Sequence, residues 1–154
     1  MVGPEPEERV DPTAYDDTYT VAGTECSSTN EGRYVNVIES LIVHPAHADG
    51  FVDKGDPVVV GWSLVGIALA SADSATEVVV IDTEGIWWLN VVATAANINI
   101  GDMVYIDWTT AVVSDDWEDC PFGHALAQVL DGATTLIPVK VHAFQIFVPW
   151  WLFL

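Results

Sequence analysis

Basic side chains are nearly missing from this chain: only Arg9, Arg33, Lys54 and Lys140 stand against 23 Asp and Glu residues. Nucleic-acid binding rests on neutralising phosphates with Lys and Arg, so that class is excluded, and anionic membrane surfaces are disfavoured for the same reason. Cysteine is equally scarce. Cys26 and Cys120 lie far apart, neither in a CxxC, and give no disulfide framework or zinc signature. No apolar run approaches the ~20 residues that a membrane-spanning helix requires. The opening MVGPEPEERVDP lacks both the basic start and the apolar stretch of a secretory signal, which leads to the expectation of synthesis in a cytoplasm. GxSxG, a Gly-rich phosphate loop and a Cys–His signature are all absent from the sequence.

Apolar residues make up 51% of the 154 positions, enough for one compact domain with a real core. A formal charge of −19 on so small a domain repels itself in dilute buffer, where the Debye length is about 10 Å, and is screened within about 3 Å in molar salt. The near absence of lysine beside so many carboxylates therefore predicts a halophilic protein.

The sequence repeats itself. VGIALASADSAT at 65–76 returns as FGHALAQVLDGAT at 122–134; GDPVVV at 55–60 precedes the first copy and GDMVYI at 101–106 the second. Downstream, TEVVVI at 76–81 corresponds to TTLIPVKV at 134–141. Each unit, 55–81 and 101–141, reads as turn, strand, gap, small-residue strand, Asp-containing turn and strand. The small residues of VGIALA and FGHALA let one backbone pass close to another, as a small closed barrel needs.

Residues 1–31 hold Pro4, Pro6 and Pro12, many acids and no apolar period, so they read as an extended N-terminal arm. From Tyr34 the pattern becomes a strand, with Val35, Val37, Leu41 and Val43 on one face, broken at Glu39. Short β-branched or aromatic runs follow at 58–60, 65–70, 76–81, 85–93, 103–108, 124–130 and 135–144, each bounded by turn residues. Pro138 would cost a ladder hydrogen bond inside a sheet and predicts an edge nearby. The fold class is all-β: a small barrel or sandwich over 32–143 built from an internal duplication, with the N-terminal arm and an apolar C-terminal segment at 144–154.

Candidate chemistry is thin. His44 and His47 form HPAH, which with Cys26 or Cys120 would supply metal ligands, but the proline rules out the helical pair of a metalloprotease, and no metal or cofactor is assigned. His124 occupies the position of Ile67 in the first copy, which suits a boundary position better than a catalytic base. DDWEDC at 115–120 lacks EF-hand spacing and reads as a solvated acidic loop. No catalytic residue is assigned.

The aromatic residues are more informative. Trp87 and Trp88 must point to opposite faces of a strand, so one of them leaves the core, and tryptophan there suits an intersubunit contact. Between 144 and 154 only Gln145 is polar, and nine large apolar side chains cover on the order of 1,000 Å², roughly 25 kcal/mol of gross transfer energy before ordering entropy. Such a segment is expected to be buried in another subunit. The candidate interface residues are Trp87, Trp88, Phe144, Phe147, Trp150, Trp151 and Phe153.

The ordered series GDPVVV, VGIALASADSATEVVVIDTEGIWWL, INIGDMVYID and FGHALAQVLDGATTLIPVKV, spanning about 55–141, resembles the small β-rich capsid decoration, or cement, proteins of tailed phages and related archaeal viruses. The resemblance implies a barrel-like domain, commonly trimeric, on the outside of the virion, where it clamps adjacent major capsid subunits, with no catalytic residue or cofactor. Other minor capsid or turret proteins are further candidate partners. The proline-rich arm, the acidic segment 112–120 and the aromatic C-terminus depart from the family pattern. A turret, fibre-base or tail component, or a carbohydrate-binding module of the cell surface, is the alternative reading; a small hydrolase or metal enzyme is a third.

The charge balance generates a direct test: the melting temperature should rise between about 0.1 and about 2 M NaCl, and a flat response would remove the halophilic reading.

Overall fold

The computed structural model describes residues 32–142; the arm at 1–31 and the apolar segment at 144–154 lie outside the described residues. Ten strands account for the fold: β1 Tyr34–Ile38, β2 Ile42–Val43, β3 Pro57–Val60, β4 Leu64–Ala68, β5 Val78–Asp82, β6 Glu84–Val92, β7 Met103–Ile106, β8 Val113–Ser114, β9 Cys120–Ala125 and β10 Thr134–His142. They form a five-stranded sheet of order β1-β5-β4-β3-β2 and a closed barrel of order β10-β6-β8-β7-β9. A single 3-10 turn, Glu39–Leu41, separates β1 from β2.

The repeated sequence gives repeated structure, with one irregularity: the β7–β9 ladder shifts register between Val104 and Tyr105, whereas β3–β4 runs unbroken. In the first unit β3 pairs with β4 and β4 with β5; in the second β7 pairs with β9 and β9 with β10, all antiparallel. Each GD turn is built the same way. Gly55 N–H donates to Ala68 O and Gly101 N–H to Ala125 O, both at 2.8 Å, while the Asp56 and Asp102 carboxylates accept from the N–H groups of Asp53 and Asn99, also at 2.8 Å. Gly55 and Gly101 take φ values of 92° and 91°, a left-handed conformation that favours glycine at both turns.

The equivalence runs further than the sequence shows. β1 lies along β5 in the register that β6 takes along β10, so Ile38 opposite Val78 matches Asn90 opposite Leu136. β2 lies along β3 as β8 lies along β7, although β2 precedes its partner in the chain and β8 follows. The difference between the units is closure. β8 also pairs in parallel with β6, through Val91↔Val113 and Val92↔Ser114, and completes the barrel, whereas no pairing joins β2 to β1. β8 belongs to the acidic segment that lengthens the second copy, and that insertion turns an open sheet into a barrel.

Packing follows the same logic. Ile42, Val52, Val58, Ala68, Ala72, Val79 and Ile81 form a buried cluster on one face of the sheet, and their equivalents Val113, Ile98, Val104, Ala125, Val129, Ile137 and Val139 are buried in the larger cluster that fills the barrel. Val59, Val65 and Ile67 join that larger cluster, because β3 and β4 bury both faces. This explains the unbroken VVV run, since a strand buried on both sides shows no polar alternation. Two glycines set the strand spacing: at Gly66 a β-carbon would overlap the carbonyl oxygen of Asp82, and at Gly123 that of Lys140.

Two expectations are corrected and a third is met. The run from Tyr34 to Val43 is not one strand: a 3-10 turn at Glu39–Leu41, closed by Ile42 N–H donating to Glu39 O and tied down by Glu39 and Ser40 N–H bonds to the carbonyls of Glu77 and Ala75, leaves Leu41 exposed instead of on the buried face. The strand read at 124–130 begins earlier, at Cys120, because Gly123 is the residue that fits beside β10. The edge expected near Pro138 is there: β10 pairs with β6 along its whole length but with β9 only from Val139 to Val141. Pro138 is tolerated because the ladder with β9 ends at Val139↔Ala125, and beyond it the Pro138 carbonyl accepts from Leu126 N–H at 2.9 Å. Its missing N–H lies on that same side, where the ladder has already stopped.

The joint between the units is held by Arg33. Its guanidinium makes a bidentate pair with Asp82, at 2.6 and 2.8 Å, and its carbonyl accepts from the Thr83 hydroxyl at 2.6 Å. Asp82 is almost fully buried and ends β5, with Thr83 alone between it and β6.

Two outcomes are expected from denaturant unfolding. Gly66→Ala and Gly123→Ala each lose about 3 kcal/mol, the upper part of the range for overpacking, and native stability in either would contradict the close approach. Arg33→Ala strands the Asp82 carboxylate and loses about 3 kcal/mol; a neutral result would show that Asp82 is compensated elsewhere.

Candidate functional site: the outer face of the barrel

β6 alternates strictly, and the alternation separates the two tryptophans. Trp87 turns inward, half-buried against the core, and its indole N–H donates to Glu84 O at 2.9 Å. Trp88 turns outward and is 69% exposed. It shares the outer face with Ile86 on the same strand, while Pro138 lies directly across the ladder and Leu136 two residues further along β10. Ile86, Leu136 and, from the segment before β8, Val112 are also exposed. The result is an apolar patch on a two-strand ladder paired over nine positions of each strand, a stiff platform for an aromatic side chain.

A groove of roughly 420 Å³ runs beside the patch. The barrel side contributes Trp88, Leu136 and Val112, and the facing wall comes from the loop before β3, through Pro45, His47 and Asp56. The structure therefore brings one predicted interface residue, Trp88, to the surface and holds the other, Trp87, to the core side. Phe144, Phe147, Trp150, Trp151 and Phe153 lie outside the described residues.

The sequence did not single out a second aromatic group. Trp62, in the β3–β4 hairpin, and Trp108 meet edge to face with centroids 6.0 Å apart. The Trp62 carbonyl accepts both the Trp108 indole N–H, at 2.9 Å, and the Cys120 thiol, at 3.3 Å, so this hairpin is tied to the barrel. Burial pushes the Cys120 thiol up to about 11, helped by Asp119, and the thiol is thus a packed hydrophobe.

The remaining candidates also have places. Asp115 accepts from Thr94 N–H, at 2.8 Å, and its hydroxyl, at 2.6 Å, while Asp107 accepts from Thr109 and Thr110 N–H groups, which hold it below the usual carboxylate range. These carboxylates shape the insertion that presents β8. His124 stacks on His142, with centroids 5.1 Å apart, and burial, with the neighbouring His124 and Lys140, pushes His142 down. His44 and His47 stack in the loop before β3, beside Glu39, Asp53 and Asp56, while the Cys120 thiol is engaged with Trp62 O. Only the arrangement of that loop reveals these oxygen partners.

Across the described residues no helix is long and apolar enough to cross a membrane. No curated protein and no solved structure matches the chain. The family model for phage cement proteins matches residues 38–141, from the end of β1 to the last turn of the barrel ladder, and covers both copies of the repeated unit. With its fold, its duplicated strand units and two thirds of its length accounted for in this way, the chain belongs to the phage cement protein family, a family of structural virion proteins.

Proposed function

We propose that this protein binds the outside of an assembled capsid as a homotrimer and stabilises contacts between major capsid subunits. The observation that carries the reading is the exposed apolar face around Trp88 on a closed barrel, in a chain of the cement family. A ligand that prefers the assembled shell to its free subunits stabilises the shell by linkage, and many copies multiply a modest contact. A tryptophan fixed on a ladder loses little freedom on docking, which is why such residues dominate interfaces.

The segments at either end of the sequence extend the same reading. The arm at 1–31 would add main-chain hydrogen bonds to an exposed sheet edge on the shell. Phe144, Phe147, Trp150, Trp151 and Phe153 would secure the trimer. The carboxylate-rich surface would keep decorated particles apart in brine, where screening lets the acidic copies sit side by side. Synthesis in the host cytoplasm, and further contacts with turret or other minor capsid proteins, complete the proposal.

Rebinding to stripped heads in molar salt tests it. Wild-type protein should saturate the heads and have the mass of a trimer in solution; a chain ending at residue 143 should lose the trimer. Trp88→Ala should bind at least about 30-fold more weakly with an unchanged melting temperature, as a central anchor would. Full decoration by Trp88→Ala would place the docking face elsewhere. Glycan binding by wild-type protein that ignores heads would favour the cell-surface module.

A further inference from the structure

We propose that the loop between β2 and β3 binds one divalent cation of the zinc class through His44, His47 and Asp56. One donor atom from each of the three lies within 4.8 Å of the others. The two imidazole rings are nearly parallel, 10° apart, with centroids at 5.9 Å. Zinc bonds of about 2.0–2.2 Å to nitrogen and oxygen draw such a set together by small side-chain rotations.

The surroundings of the two rings suit a cation. His44 Nδ1 faces Pro45 O at 2.7 Å and its Nε2 faces Glu39 Oε1 at 3.2 Å. His47 Nε2 faces Asp56 Oδ2 at 2.6 Å and its Nδ1 faces Asp53 Oδ2 at 3.3 Å. All four ring nitrogens thus meet oxygen acceptors, whereas a neutral imidazole carries one N–H. These contacts are filled either by protonating each ring, which gives it a second N–H, or by a cation that takes the bare nitrogen, so zinc competes with protons here. A shared cation satisfies both rings and the carboxylate together, while each second nitrogen keeps its N–H toward a carboxylate or carbonyl, the usual outer partner of a ligating histidine.

Charge leads to the same place. Glu39 and Asp56 are 5% and 8% exposed. Among the described residues Arg33 is the only Lys or Arg in an ion pair, and it is committed to Asp82. Among the described residues the ion-pair partners of these two buried carboxylates are His44 and His47.

The second unit serves as an internal control. Asp102 makes the same turn, its carboxylate accepting from Asn99 N–H while Gly101 N–H donates to Ala125 O. The segment leading into that turn, ATAANINIGD at 93–102, contains no histidine, so HPAH is an addition peculiar to the first unit. Two nitrogens and a carboxylate suit zinc, cobalt or nickel, not calcium or magnesium, which prefer all-oxygen shells. His47 and Asp56 also line the groove beside Trp88, so the ion would stiffen that wall.

The test uses full-length protein stripped with chelator, then titrated with zinc and, for its visible spectrum, cobalt. The expected result is one ion per chain, a melting temperature that rises with free zinc, and a cobalt spectrum of low-symmetry nitrogen and oxygen ligation. His44→Gln with His47→Gln should lose at least about 100-fold in affinity, while His124→Gln with His142→Gln should bind like wild type. Circular dichroism confirms that each variant is folded; should the first pair unfold, Asp56→Asn takes its place with the same expected loss. Failure of the folded wild type to bind stoichiometrically, or undiminished binding by the folded His44/His47 or Asp56 variant, would overturn the site.

Discussion

Gly66 and Gly123 sit where the carbonyl oxygens of Asp82 and Lys140 leave no room for a side chain, and the register of both three-strand units follows from that restriction. A slip of one residue in β4 or β9 would bring a side chain against the neighbouring backbone and exchange the two faces on which the strand's side chains pack. With the register held, Ile67 opposite Asp82 and His124 opposite Lys140 take equivalent places, and two chemically different stretches adopt one geometry. Both buried clusters are consequences of this spacing.

The two units diverge in what they do with an unpaired edge. A free strand edge is a template for unwanted pairing. The second unit removes its edges by drawing β8 between β7 and β6, and the carboxylates of Asp107 and Asp115 shape the loop that delivers it. The first unit stays open and packs its other face against the barrel instead. β6 and β10 pair with each other along the full length of both strands, and the patch around Trp88 is presented by side chains standing on that ladder. Side-chain adhesion on a rigid surface fits a protein whose family works by attachment to a shell.

Much of this was legible in the residues. The repeats at 55–81 and 101–141 stood out because their turns and small-residue strands share identities, and the separation of Trp87 from Trp88 follows from strand geometry alone. The kinship of β1 with β6 was not legible: Tyr34, Val35, Asn36 and Val37 share only alternation with Ile86, Trp87, Trp88 and Leu89. β8 is two residues long, too short for any period to register. The histidine cluster escaped notice because its oxygen partners are set by the path of a loop. HPAH was weighed against cysteines, one of which lies outside the described residues and the other in the packed seam beneath Trp62.

The central claim is that the outer face of β6 and β10 meets the capsid. Cryo-electron microscopy of decorated heads, at a resolution that traces both strands, tests this most directly. The account predicts shell density against Ile86, Trp88 and Leu136; a barrel whose β6–β10 face points into solvent, with the shell held through another surface, would contradict it.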